Sequence, residues 1–460
     1  MLPPAFVEEM RQIVGRDRVR DDPAALDAYG QDALARVHPP DLVVIPGTTL
    51  EVSAIAEACS TRAIPLTVRG GGTGYTGGSV PLRGGVVVSM ERFNRILEID
   101  QDNLLAVVQP NVITGALQAA VERVGLFYPP DPASLEKSVI GGNIAECAGG
   151  PRAFKYGTTR RYVLGLEAVL PGGEVIRTGS KAVKNVVGYD LTQLLVGSEG
   201  TLAIITQAVL RLVPLPPSRA TLRATFPSAG AAVEAVTGLI RSRVVPATLE
   251  LVDAASLAAV ARYLGEELAP AGTGALLLVE VDGLAEAVAE EARRVAAACG
   301  AAGATEVLRA STSEERDRLW RVRRELSPAL KTIAPTKLNH DVVVPRGRIA
   351  DLFELLQELR DGFDLTIACF GHAGDGNIHV NFMVHADDPA EMARARRAER
   401  LLFEGVVARE GSISGEHGVG FTKAPYLGLE LSPDTIALMK RVKHAFDPKG
   451  ILNPGKIWTE

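Results

Sequence analysis

Three histidines and a glutamate stand in two short glycine-framed stretches of this chain, and their types suit metal and proton chemistry. An apolar run from Leu365 to Phe370 ends in Gly371-His372; after Ala373-Gly374-Asp375-Gly376-Asn377 the chain continues as Ile378-His379-Val380-Asn381-Phe382. The pattern predicts a strand, a tight turn and a second strand, with the two imidazoles able to approach each other. Period-two alternation puts His379 and Asn381 on one face and Ile378, Val380 and Phe382 on the other, so the polar face is expected to point at a site and not at the core. Further on, Ser414-Gly415-Glu416-His417-Gly418 sets a carboxylate beside a third histidine. Two imidazoles and a carboxylate form a ligand set for a divalent transition metal with open positions. His372, His379 and Glu416 are therefore candidate ligands, which leaves His417 as an acid/base. Zinc, manganese and iron all accept these donors, so the metal stays open. The chain has only seven histidines, and three in two such stretches is the kind of clustering that marks a site. His38, His340, His385 and His444 read as ordinary.

A second chemistry is written in Val68 to Pro81, where six glycines fall in the nine residues from Gly70 to Gly78. Such density weakens any helix or strand and makes sense where backbone turns sharply or lies against a ligand. Successive bare amides form a nest that holds phosphate or pyrophosphate. Gly72, Gly74 and Gly77 satisfy G-x-G-x-x-G, but that fingerprint must open a helix. Here Ser79-Val80-Pro81 leads to another apolar strand, Val86 to Met90, which argues against a nicotinamide-binding fold. No Gly-Lys-Ser/Thr follows, so it is not a Walker loop. Two further glycine-rich loops, Pro129–Ser134 running on to 138–150, and Gly197–Leu202, suggest three loops lining one extended ligand.

The elements that position these groups follow from periodicity. Helices are expected near residues 5–14, 24–33, 49–63 and 114–124, with strands at 42–46, 65–68, 86–90, 96–100 and 105–109, and a hairpin at 163–176 around Pro171-Gly172-Gly173. Pro214-Leu215-Pro216-Pro217 reads as a linker. Beyond it, helices and strands alternate, as in an α+β sandwich with helices on one face of an antiparallel sheet. One long helix is expected from Ser313 to about Lys331, carrying Arg316, Trp320, Arg323 and Ser327 along one face. Read alone, Arg323 belongs to a solvated face; as a site residue it would grip a carboxylate bidentately.

At 460 residues the chain suggests two or three domains, and its 47% hydrophobic and 23% charged content is that of a folded globular protein. A formal net charge of −6 argues against a general nucleic-acid binder. No signal peptide and no membrane span are expected, which makes a cytoplasmic protein the default. Cys59, Cys147, Cys299 and Cys369 are scattered singly, without the pairs that iron–sulfur sites need, so electrons would leave through another carrier.

Taken together, RGGGTGYTGGSVP (69–81), GGNIAECAGG (141–150) with FKYG (154–157), GYDLTQLLVGSEGTLAIIT (188–206), LWRVRRE (319–325), GHAGDGNIHVN (371–381), SGEHGVG (414–420) and FDPKGILNPGK (446–456) resemble the FAD-linked oxidase family. That family includes the glycolate oxidase flavin subunit, D-lactate dehydrogenases and D-2-hydroxyglutarate dehydrogenase. The resemblance implies an α+β chain with a vanillyl-alcohol-oxidase-type FAD-binding domain over 38–217. It also implies an N-terminal helical segment over 1–37, a ferredoxin-like substrate cap over 218–414, and a segment, 415–460, returning to the flavin domain.

It implies that Arg69, Gly70, Gly71, Gly72, Thr73, Gly74, Gly77 and Gly78 hold the FAD pyrophosphate. Pro130, Asp131, Ser134, Gly142, Asn143, Glu199, Gly200 and Ile204 would also approach the cofactor. Some relatives link the flavin to a histidine in the first loop; Thr73 stands there, which implies noncovalent FAD. His372, His379 and Glu416 match metal-ligand positions, His417 the base, and Arg323, Ser327 and Asn381 substrate contacts. Where D-2-hydroxyglutarate enzymes carry a Lys-Tyr-Asp triplet, this chain has Asn339-His340-Asp341, with Lys337 two residues earlier; that favours glycolate or D-lactate over a diacid.

The implied reaction is oxidation of a small 2-hydroxy acid to the 2-oxo acid, with metal-assisted deprotonation of the hydroxyl and hydride transfer to flavin N5. With no cluster cysteines, the acceptor stays open among an iron–sulfur partner, an electron-transfer flavoprotein, a quinone-linked chain and oxygen, with attachment to the inner face of a membrane only through a partner, and a homodimer as a candidate assembly. The rivals are an ether-lipid synthase or phenol oxidase on the same fold, and a flavin-bearing electron-transfer subunit inactive without its partners.

Overall fold

The computed structural model describes residues 2–459, which divide into two compact units. The first takes the chain up to Gly149, resumes from Thr158 to Leu215 and closes with the segment from Glu416 onward. The second holds residues 150–157 and Pro216–Gly415. Eight residues that the sequence assigns to the flavin half, 150–157, thus belong to the other unit. Their anchor is a polar one: Lys155 donates to the Asp282 backbone carbonyl at 2.6 Å and pairs with its carboxylate, and Tyr156 Oη donates to the same carboxylate at 2.7 Å.

The first unit opens on helix Pro4–Val14, which buries Phe6, Met10 and Val14 at four-residue spacing against helix Thr49–Thr61. A four-stranded sheet follows, made of β1 (Val19–Arg20), β2 (Leu42–Val44), β3 (Leu66–Arg69) and β4 (Val86–Ser89) in the order β1-β2-β4-β3. The pairs β2/β4 and β3/β4 are parallel, and β2 and β4 are buried throughout, which is why they read as unbroken apolar runs. The N-terminal segment is part of this unit, because β1 pairs with β2.

Next come β5 (Ile96–Asp100), β6 (Leu105–Val108), β7 (Leu126–Phe127), β8 (Val163–Val169), β9 (Val175–Gly179), β10 (Ile204–Arg211) and β11 (Val213–Pro214). Five of these form an antiparallel sheet in the order β5-β6-β10-β8-β9, and β7 pairs with β11. The last segment closes the unit: Leu66 N donates to Ile451 O at 2.8 Å and Asn453 N to Leu66 O at 2.7 Å, and Ile451 and Leu452 join the core of Phe6, Ile55, Leu66 and Val88.

The second unit is built on one seven-stranded antiparallel sheet. Its strands are β12 (Ser218–Phe226), β13 (Thr248–Asp253), β14 (Ala275–Gly283), β15 (Glu306–Arg309), β16 (Thr336–Val343), β17 (Thr366–His372) and β18 (Asn377–Val384), in the order β15-β12-β14-β13-β17-β18-β16. Every residue of β13 and β18 is buried, so both faces of the sheet are covered along these strands. Helices Ala254–Leu264, Ser313–Arg324 and Leu326–Leu330 pack on the face carrying Val252, Leu276, Leu278, Phe370 and Met383.

The single helix expected over 313–331 is two, broken at Glu325. Pro328 offers no N–H and fits only the first turn of a helix, so the second piece starts afresh just before it. Thr312 caps the first piece by accepting from Glu315 N at 3.1 Å, while Glu314 and Glu315 sit in its first turn and Arg321, Arg323 and Arg324 in its last, as the helix dipole favours. No helix among the described residues is long and apolar enough to cross a membrane.

Candidate active site

In the first unit, β3 delivers Arg69 and the glycine loop. Gly72 and Gly77 take positive φ, +63° and +81°, and Cβ atoms built on Gly70 and Gly71 would stand 2.6 Å from Val139 Cγ2 and 2.6 Å from Lys137 O. The loop is therefore glycine for close approach as well as for turning. The N–H groups of Gly71, Gly72, Thr73 and Gly74 donate to no protein acceptor among the described residues, leaving a row of donors suited to an anion. A Cβ on Gly77 would overlap the Phe421 ring. Gly77→Ala is accordingly expected to cost about 1–2 kcal/mol in backbone strain alone and to lower the flavin-to-protein ratio of the purified protein. Full flavin content with an unchanged melting temperature would count against this reading of the loop.

The other two loops are held close by. Asn143 lies in helix Ile140–Glu146 and donates from Nδ2 to Thr114 Oγ1 at 2.8 Å; Gly142 precedes it. Pro130 O accepts from Gln118 Nε2 at 2.9 Å, Ser134 O accepts from Ser138 N at 2.7 Å, and Asp131 is buried. Glu199 has φ +52° and its carboxylate accepts from Val419 N at 2.8 Å and Gly420 N at 2.7 Å. Gly200 follows with φ +64°, and Ile204 begins β10 inside the core. Asn453 Nδ2 donates to both Gly78 O and Glu199 O at 2.8 Å, so the closing segment ties the first loop to the third. Glu146 leaves no signal in the sequence, whereas Lys423, Asn453 and Lys456, which read there as polar surface, are buried.

Glu146 is half-buried with its Oε2 atom shut off from solvent, and a Cβ on Gly78 would stand 2.7 Å from its Oε1. Burial, then the Glu199 and Asp32 carboxylates, push its carboxyl well above the usual range. Glu199 is also raised by burial, but its two amide donors and Lys456 and Lys423 favour its anion. Lys456 donates to Val80 O at 2.5 Å and to Asn453 Oδ1 at 3.1 Å, and burial pulls its pKa down to about 8. In the unfolded chain it keeps its proton to the ordinary 10.5. Between those pH values the unfolded chain binds more protons, so this lysine makes the flavin-free protein more stable as pH rises through the window, and its full cost applies below it. Urea midpoints at pH 7.5 and 9.5 are expected to rise less in Lys456→Met than in the parent; equal rises would refute the assignment.

Glu416 and His417 open the closing segment beside the same loop. A Cβ on Gly149 would stand 2.7 Å from Glu416 Oε2. Thr76 Oγ1 donates to His417 O at 2.9 Å, the Tyr75 and His417 rings lie 5.4 Å apart at 31°, and Phe421 N donates to Thr76 O at 3.1 Å.

In the second unit, register gathers the polar residues on one face of the sheet. Glu250 pairs with His372, Phe370 with His379, His372 with Asn377, and Asn381 with both Ala368 and Asn339. The His372 and His379 ring centroids are 5.3 Å apart. His379 and Asn381 lie on that face and are buried, 5% and 0% exposed. Asn381 Nδ2 donates to Ala368 O and His379 O at 3.1 Å and its Oδ1 accepts from Asn339 Nδ2 at 2.8 Å, so this amide braces three strands.

Arg323 is 8% exposed, far from a solvated surface residue. Its Nε donates to Glu250 and its guanidinium carbon sits 4.8 Å from the Phe370 ring centre. Glu250 Oε1 is 2.5 Å from His372 Nδ1. Burial would raise the Glu250 pKa, but His372 and Arg323 outweigh it and bring it to about 2. Ser327 Oγ accepts from Lys337 Nζ at 2.7 Å, and burial lowers that lysine to about 8. His340, on the opposite sheet face, packs on Phe382 and Phe403, an ordinary core histidine.

Two family models match the chain. Residues 40–179 match the FAD binding domain, and residues 215–457 match the C-terminal domain of FAD linked oxidases. The chain belongs to the FAD-linked oxidase family. This FAD-linked oxidase is 43% identical over 454 residues to the glycolate oxidase subunit GlcD of Bacillus subtilis, covering 98% of this chain and 96% of that one. It is 39% identical over 416 residues to a D-lactate dehydrogenase of Archaeoglobus fulgidus, covering 90% and 91%. Among solved structures, p-cresol methylhydroxylase superposes with a TM-score of 0.83 over 99% of this chain and 96% of that one at 18% identity, a likeness of fold of the vanillyl-alcohol-oxidase type. The glycine cradle with its row of unused amides fits the FAD that the matched domain binds.

Proposed function

We propose that this FAD-linked oxidase oxidises a small 2-hydroxy acid, glycolate or D-lactate, to the 2-oxo acid. The observation that carries the reading is the buried polar face of the seven-stranded sheet, where a guanidinium and two imidazoles meet inside an otherwise apolar layer. A buried cation fixed by Glu250 and Phe370, whose two Nη nitrogens make no hydrogen bond among the described residues, is suited to a carboxylate. Names of the relatives point the same way: glycolate for the Bacillus subtilis subunit, D-lactate for the Archaeoglobus fulgidus enzyme.

When bound, FAD supplies the acceptor for the hydride of the substrate α-carbon. Arg323 holds the carboxylate and so fixes which face of that carbon is presented. His372, His379 and Glu416 have the donor types for a divalent cation, zinc, manganese or iron, which would make the hydroxyl a stronger acid. His417 takes the hydroxyl proton. Asn381 keeps the His379 strand in register. Thr73 in the first loop, with no histidine between residues 69 and 81, supports noncovalent FAD, which acid precipitation would release. The glycolate oxidase relative is named as a subunit, which supports an electron-accepting partner such as an iron–sulfur protein or an electron-transfer flavoprotein.

The test is anaerobic titration of the purified holoprotein with glycolate, D- and L-lactate and D-2-hydroxyglutarate, with metal analysis of the same sample. Bleaching of the flavin band by glycolate or D-lactate is expected. Lys337, on the same strand face as Asn339 and Asp341, is the feature that keeps the diacid in the panel. Bleaching by the diacid alone would move the substrate there, and bleaching by none would leave a flavin-bearing electron-transfer subunit.

A further inference from the structure

Glu250 is fully buried in the middle of a strand and lies between two groups that the proposed function uses. Oε1 is 2.5 Å from His372 Nδ1, and Oε2 accepts from Arg323 Nε. No other polar partner of this carboxylate occurs among the described residues. A carboxylate paired with a guanidinium is an acceptor only, so the proton on the imidazole edge facing it belongs to His372 Nδ1. In the neutral imidazole that leaves Nε2, the opposite nitrogen, as the one with a lone pair. Arg323 is fixed to the other oxygen through Nε, and neither of its Nη nitrogens bonds to Glu250.

We propose that Glu250 is the positioning residue of the site: one buried carboxylate sets the tautomer and ring orientation of His372 and the direction of the Arg323 fork, so that cation ligand and carboxylate clamp are aligned by a single side chain. The cation half of this rests on the metal assignment made above; the tautomer half does not. His379 is placed differently. Its Nδ1 is 3.7 Å from Asp341 Oδ1, an oxygen that accepts from Asn377 Nδ2 at 2.7 Å.

The geometry also separates Glu250 from a merely structural buried acid. Asp253, three residues on, is buried too, but it accepts from Ser256 N at 2.9 Å as the cap of a helix and pairs with Arg360 at 2.9 Å, a scaffold role with no candidate ligand in it. Glu250 caps nothing. Both of its partners are residues with a proposed part in the reaction.

Two measurements test the proposal on the full-length holoprotein. In the first, competition with a chelator measures zinc and manganese affinity of the parent, His372→Ala and Glu250→Gln. Glu250→Gln, nearly the same shape, is expected to lose about tenfold to a hundredfold in affinity, as loss of an orienting partner does, and to raise KM for the hydroxy acid while its flavin content stays at the parent value. Affinity and KM within twofold of the parent would overturn the proposal. In the second, nitrogen-15 histidine spectra of the metal-stripped parent, assigned with His372→Gln, report the His372 tautomer without any change at Glu250. An Nδ1–H imidazole is expected; an Nε2–H imidazole overturns the proposal even if Glu250→Gln fails to fold. A parent that holds no divalent cation would refute the metal assignment instead, and the tautomer would still decide the role of Glu250.

Discussion

His417→Gln is expected to lower kcat for the hydroxy acid by about a hundredfold to ten-thousandfold, with kcat/KM falling in proportion and the bound-flavin spectrum unchanged. The expectation rests on how residue 417 is held. Its backbone carbonyl accepts from Thr76 Oγ1, its ring leans on Tyr75, and its neighbours Val419 and Gly420 donate main-chain N–H groups to Glu199. None of the main-chain contacts needs an imidazole, so glutamine keeps the segment in place while removing the group that takes a proton. Stopped-flow reduction of the flavin isolates the step. A Gln variant with parent turnover and full flavin content would remove His417 from the chemistry.

Arg323→Met is expected to have two separable effects. Stability should fall by about 3–5 kcal/mol, because one partner of a buried ion pair is removed and Glu250 keeps its charge. Where the protein still folds, kcat/KM for the hydroxy acid should drop by at least tenfold, the worth of a charge-assisted contact of about 1.5–3 kcal/mol. Arg323→Lys sorts the two: it restores a positive charge near Glu250 and hence most of the stability, but a single ammonium lacks the planar fork and should leave KM high. Thermal melts and substrate saturation curves on both variants give the answer. If Arg323→Lys matched the parent in KM, a bidentate grip on the substrate carboxylate would be ruled out.

Much of this site is legible in the sequence because its signals are local. A glycine run between two apolar strands, a histidine on each side of a tight turn, and Glu-His framed by glycines each carry their meaning within a dozen residues. Glu250 does not. The only trace it leaves is a carboxylate inside the buried run Thr248–Asp253, which says that a partner must exist and not which one. Its pairing with His372 comes from β13 lying against β17, a long-range choice made by the sheet.

The break before Pro328 could have been read from chain chemistry, since proline belongs in a first turn. Arg323 could not: a helix with Arg321, Arg323 and Arg324 in its last turn looks solvated until Phe370 and Glu250 are seen to close over one of the three. The same holds for residues 150–157, whose membership of the second unit depends on Lys155 and Tyr156 finding Asp282.

The discontinuity of the first unit sets an order of assembly during synthesis. Leu66, at the start of the strand that carries the glycine loop, bonds on one side to Ile451 and Asn453, near the far end of the chain. A ribosome would thus release the whole sheet of the second unit while the older first unit still lacked its final edge, since domains fold as units while the chain emerges. Cofactor capture has to wait for the segment from Glu416 onward, and chains cut short before Ile451 would accumulate with a finished half and a colourless one.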